Sequence, residues 1–211
     1  DHRDLHSFPT RRSSDLKAAK DFESSFAGVR KTVDATEAEF AKLSAGFRQM
    51  SKDIPVSVNE LNAIGEAAGQ LGIKKDSILQ FTRTMADLSV TTNLTADQAA
   101  TATAQLQNIF GAAGKDVDRF GAALVALGNA GASTEKDIIE MGLRIAGAGK
   151  QVGLTEAQIL GFAGALSSVG IEAQAGGTAI SRVMIELANT VASGGENLER
   201  FASVAGMSGE E

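Results

Sequence analysis

The chain has no cysteine, tryptophan or tyrosine, and only two prolines and two histidines in 211 residues. Without cysteine no disulfide can form, and the redox compartment cannot be read from the sequence. Phenylalanine, present ten times, is the only aromatic. The apolar residues are mostly small, so the composition points to helices packed through Ala and Leu rather than an aromatic binding face. No run of about eighteen apolar residues occurs, so this chain has no bilayer-spanning segment. The nearest approach, residues 120–132, is too short and contains Asn129. Basic charge is also scarce: the net charge of −6 argues against nucleic-acid binding, which needs a basic surface to neutralise phosphates.

Residues 6–16 read HSFPTRRSSDL and resemble the translation of a sequencing adapter. Residues 1–16 are therefore expected to be an artefact without ordered structure, the alternative being a basic N-terminal arm around Arg11 and Arg12, and they are set aside for fold reasoning. Both histidines, His2 and His6, leave with them. Three acidic and three basic residues leave too, so the net charge is unchanged. What remains has neither imidazole nor thiolate, which excludes Ser-His-Asp and Cys-His catalysis and the usual zinc and iron sites.

From Lys17 to Asp53 the apolar residues Phe22, Phe26, Val29, Val33, Phe40, Leu43, Phe47 and Met50, with Thr36 among them, recur at alternating steps of four and three. That is the a/d seam of a heptad helix. It predicts one long N-terminal helix over 17–54, ended by Pro55, whose ring removes a donor and pushes the preceding residue out of the helical region. The seam fits two arrangements: a coiled coil joining copies into a homo-oligomer, or an amphipathic helix lying on its own domain. Gly28 and Gly46 are expected to weaken it, by about 1 kcal/mol each.

Residues 55–211 read as successive helices with short polar or glycine-bearing joints. Ser57 or Asn59 opens a helix to Gln70 with Gly72 as its stop; Asp76 opens 77–89; Thr95 caps 96–110; a further helix covers 115–129; Ser133 or Thr134 caps 135–147; and Thr155 opens an apolar helix to about Val169. Past Gly176–Gly177 a further helix carries Ile180, Val183, Met184 and Leu187 on its apolar face, and 196–204 forms a last short one. No segment shows sustained alternation with β-branched enrichment, so the class is all-α: a long heptad helix followed by a multi-helix body. A shift of sixty positions pairs Leu94-Thr95-Ala96-Asp97-Gln98 with Leu154-Thr155-Glu156-Ala157-Gln158, and also Ile78 with Ile138, Phe81 with Met141, Met85 with Ile145 and Leu106 with Leu166. This predicts a duplicated helical hairpin over about 73–110 and 133–170. Gly176 and Gly177 are expected to form a hinge between packed helices, with Arg182 in the first turns beyond it.

Little here resembles a reacting site. Carboxylates are abundant, but Asp76, Asp97, Glu135, Asp137, Glu156 and Glu196 stand in first helical turns, where they complement the dipole. Gly111–Lys115 and Gly147–Lys150 both end in Gly-Lys, yet neither has the earlier glycine or the following Ser/Thr of a phosphate loop, and both read as helix joints. No catalytic, cofactor-binding or metal-binding residue is assigned, no cofactor is expected, and the chain is read as a non-enzyme.

Five short motifs in order carry a family resemblance: Ala67–Ile73 (AAGQLGI), Phe81–Leu88 (FTRTMADL), Leu94–Ala100 (LTADQAA), Ala126–Asn129 (ALGN) and Ala175–Met184 (AGGTAISRVM). Together, over about Leu61 to Gly206, they resemble the core region of phage tail tape measure proteins of the TP901 type. The resemblance implies a structural virion protein in the tail lumen, assembled in the bacterial cytoplasm, around which the tail tube polymerises and which leaves ahead of the DNA at infection. It implies the major tail tube protein, tail assembly chaperones and tail-tip or baseplate proteins as partners. A helix advances about 1.5 Å per residue, so chain length serves as a ruler. At 211 residues the chain is too short to measure a tail, and a fragment is expected. The alternative is a phage-derived helical adaptor or secreted effector acting in a host cell.

Overall fold

The structure, a computed structural model, describes residues 10–111, 116–194 and 196–206. Among these every regular element is helical: α1 Thr10–Thr32, α2 Glu37–Asp53, α3 Val58–Gln70, a 3-10 turn Lys75–Ser77, α4 Ile78–Thr91, α5 Ala96–Phe110, α6 Val117–Ala130, α7 Glu135–Gln151, α8 Glu156–Ser168, α9 Ala173–Ser193 and α10 Glu196–Ala205. The all-α expectation holds.

The helix starts follow local side-chain chemistry. Thr36, Ser57, Thr134 and Thr155 each accept a hydrogen bond from the backbone N–H three residues on, while Glu39, Glu60, Asp137 and Gln158 reach back to the cap's own N–H. Each box satisfies two donors that would otherwise lack partners. Thr95 and Gln98 make the same two bonds at α5, at 3.0 and 3.2 Å. Three joints end alike. Gly72, Gly153 and Gly170 lie at φ near +80°, a region open to glycine. The next residue then returns its N–H to the helix: Ile73 to Ala68 O, Leu154 to Gly149 O and Ile171 to Leu166 O, at 2.9–3.2 Å.

The chain forms two compact units, residues 1–104 with 113–121, and residues 105–112 with 122–211. In the first, α3 is the helix the others pack on, touching α1, α2 and α4. Its core holds Phe47, Leu61, Ile78, Phe81 and Met85, all fully buried. In the second, α7 takes that position and packs against α8 and α9. Ile138, Met141, Ile145 and Ile159 are fully buried there.

The sixty-residue shift carries α4, ending at Thr91, onto α7, ending at Gln151, and the start of α5 at Ala96 onto that of α8 at Glu156. Packing roles follow another register. The two central helices, α3 and α7, are followed by Leu71-Gly72-Ile73 and Val152-Gly153-Leu154, and then by Ile78-Leu79 and Ile159-Leu160, a shift of 81.

The structure departs from the sequence expectations at four places. The single long heptad helix is two helices, because Thr36 turns its side chain to the N–H of Glu39 and starts α2 afresh. Second, α1 extends back through Thr10, so part of the stretch expected to lack order is helical; Leu16 there is 72% exposed, and these turns continue a helix that docks further on. Third, Gly147–Lys150 is not a joint but the last turns of α7, because the residue that stops the helix is Gly153. The other Gly-Lys run falls mostly on residues 112–115, outside the described residues. Fourth, Gly176 and Gly177 lie inside α9 rather than at a hinge, and the turn before that helix is at Gly170.

Candidate interaction seam

The eight seam residues converge inside the first unit. Phe22, Phe26, Val29, Val33, Phe40, Leu43, Phe47 and Met50 are all buried. Of the two arrangements the pattern allows, the structure has the chain covering its own seam. Phe26 is the centre of it, stacked on Phe22 at 5.6 Å and meeting the edges of Phe40 and Phe47 at 6.3 Å each. Such pairs add about 0.5–1.5 kcal/mol each to the area they bury. Arginines close the ends: Arg30 sits 4.8 Å from the Phe40 centroid, and Arg48 3.9 Å from that of Phe22.

Glycines set how closely the helices approach. A Cβ on Gly65 would lie 2.6 Å from the Phe47 ring, and one on Gly46 2.5 Å from Leu79. A Cβ on Gly28 would collide with the Glu66 side chain. Gly28 and Gly46 therefore serve packing, which the helix-propensity argument does not see. One buried amide is part of the seam: Asn62 on α3 donates from Nδ2 to Ser25 Oγ on α1 at 2.8 Å. Polar pairing of this kind fixes helix register.

Charge outside the seam ties α2 to the turn after α3. Glu39 meets Lys75 Nζ at 2.7 Å. The Lys75 hydrogen bond, followed by the Thr36 backbone and hydroxyl, lowers the Glu39 carboxyl from 4.5 to about 2. A depressed carboxyl contributes stability above its unfolded value, and that contribution fades as pH falls from about 4.5 towards 2. An NMR titration of the Glu39 carboxyl is expected to give a midpoint near 2, and a clearly higher one in Lys75→Met. An unshifted Glu39 in the intact chain contradicts the ion pair. In the same unit, hydrogen bonds from Thr84 and then Gln80 hold the Asp118 carboxyl below its ordinary range.

In the second unit one of the two glycines, Gly177, is a crossing point. Gly177 is buried against Arg144 and Met141 of α7, and Ser181 donates to Arg144 O at 3.0 Å. Arg182 is exposed. A cavity of about 360 Å³ is lined by Asp137, Glu140, Ser167, Ile171, Glu172 and Gln174. Two of its three acids are engaged: Asp137 holds the Thr134 cap, and Glu140 pairs with Lys136 at 3.9 Å. Among the described residues no three His, Cys, Asp or Glu side chains group to hold a metal ion, and no helix is long and apolar enough to cross a membrane.

The residues that organise the seam beyond its apolar row are Arg30, Arg48 and Asn62, while Glu39 and Lys75 brace α2 from outside it, and the heptad pattern singles out none of the five. The signal for Glu39 was present, since Thr36-Glu37-Ala38-Glu39 reads as a capping box.

Caps, close glycine crossings and apolar seams make this a helical packing protein. The sequence model of a family described as phage-related minor tail protein matches residues 44–210. That is most of the chain, and the chain belongs to this family: it is a phage tail protein. No curated protein and no solved structure matched it.

Proposed function

We propose that the chain is part of a tape measure protein, the component whose helical length sets the length of a phage tail. The observation that carries this is that the family match over 44–210 encloses all five tape-measure-like motifs in order. In this reading the protein occupies the tail lumen, the tube protein polymerises around it with the help of tail chaperones, and it leaves ahead of the DNA. Its role is structural and non-enzymatic. Solvent-facing Val183 and Val191 on α9, 59% and 58% exposed, offer apolar contact to neighbouring tail proteins.

Mass spectrometry of purified virions tests the placement. Peptides from residues 61–206 are expected in intact particles, shielded from added protease until the tails are opened. Their absence from virions overturns the reading, and recovery on a host protein outside particles supports a phage-derived helical adaptor instead.

A further inference from the structure

The break between α1 and α2 leaves the heptad phase intact. Positions 22, 26, 29 and 33 lie before it and 36, 40, 43, 47 and 50 after it, and the alternation of four and three runs straight through. Ile54, four residues further, continues the row and is buried as well. Two helices that pack separately have no need to keep a common phase across their link. The only seam position not buried is Thr36, the residue that caps α2.

The link itself has no residue that forces a bend. Val33-Asp34-Ala35-Thr36 contains neither glycine nor proline, and the Val33 N–H still bonds back to Val29 O at 3.0 Å. Exposed contacts hold the bend: the Thr36–Glu39 capping box, and the Arg30–Glu37 ion pair at 2.7 Å.

We infer that α1 and α2 are two halves of one heptad helix folded back at residues 33–36, and that the helix straightens when two copies exchange their α1 segments. The contacts between α1 and α2 pair Phe22 with Arg48, Glu23 with Arg48, Phe26 with Phe47, Phe26 with Phe40, and Arg30 with Glu37. Early residues meet late ones throughout, so the two segments are antiparallel about the link. Two straightened helices lying antiparallel across a two-fold axis at the link recreate every one of these contacts between chains. The α1 of each copy then fills the place on α3 that its own α1 has left, so Gly28 meets Glu66, and Ser25 meets Asn62, of the second copy. No apolar surface is uncovered, and only the bend and its cap are given up. The partner is a second copy of this chain. The α1 segment and the link lie outside the family match at 44–210, so the inference does not depend on the tail reading.

Distance measurements decide it, because the chain has no cysteine to compete with introduced labels. Folded back, Glu23 and Arg48 are in contact at 3.9 Å. On one straight helix they stand about 37 Å apart, twenty-five residues at 1.5 Å each. One sample of the full chain carries a spin label at 23 only, a second carries one at 48 only, and the two are mixed and refolded. Exchange is expected to give a short distance between chains in the dimer fraction. Thr36→Leu removes the cap and adds an apolar seam residue, and is expected to raise the dimer association constant about thirtyfold, the worth of two lost caps, one in each copy. Two glycines inserted after Asp34 break the straight helix and are expected to leave a monomer. A monomeric Thr36→Leu chain, or a dimer without a short distance between chains, overturns the proposal. If Thr36→Leu does not fold, the intact chain decides the matter over rising concentration, and absence of the short distance between chains at every concentration overturns it equally.

Discussion

Phe47→Ala is expected to destabilise the first unit by about 3–5 kcal/mol, the usual cost of emptying a fully buried aromatic site. Phe47 has no exposed surface, lies edge-on to Phe26, and fills the space left by Gly65 on α3. The backbone on either side is helical and cannot move in to close the void. Since whole domains are stable by about 5–15 kcal/mol, the loss takes up much of what holds this unit folded. Urea unfolding followed by helical circular dichroism measures it, and hydrogen exchange locates it, with α2 and α3 losing protection. Phe47→Leu, which retains most of the apolar volume, is expected to cost less. A change below about 1 kcal/mol for Phe47→Ala means that the seam is not packed in the chain's own core.

Gly177→Leu is expected to cost about 1–3 kcal/mol and to lift α9 from α7, as overpacking does in a close crossing. A Cβ at this position lies 2.7 Å from Arg144 Cβ and 3.3 Å from Met141 Sδ. Arg144 Cβ is the root of its side chain and cannot swing aside, so the helix itself must shift. Exchange protection along α9 is the readout. Gly161→Ala makes the contrast: an added Cβ there meets nothing within 4 Å, and the more restricted backbone is expected to stabilise α8 by about 0.5–1 kcal/mol. Equal effects at the two sites mean that Gly177 is not a crossing point.

What the sequence disclosed and what it hid follow from the range of each interaction. Thr95, Thr134 and Thr155 start helices through bonds to residues three positions away, and a reader of the sequence has both partners in view. At Thr36 the same local chemistry competes with the apolar period, because that residue is both the cap of α2 and a seam position. Gly176 and Gly177 read as a hinge because adjacent glycines loosen a chain. The role of Gly177 depends on Met141 and Arg144, more than thirty residues earlier, so it could not be read locally. The Asn62 to Ser25 bond and the stacking of Arg48 on Phe22 likewise join residues far apart in sequence. The proposed duplication reads in two registers, sixty by helix ends and 81 by packing role. Capped helices of similar length resemble one another at several shifts.

The tape measure account stands or falls on tail length. In-frame removal of about one hundred helical residues from the full gene is expected to shorten tails by about 150 Å, at 1.5 Å per residue. Electron microscopy of negatively stained particles measures this directly. Tails that shorten in proportion to the residues removed are what the account predicts, and tails of unchanged length contradict it.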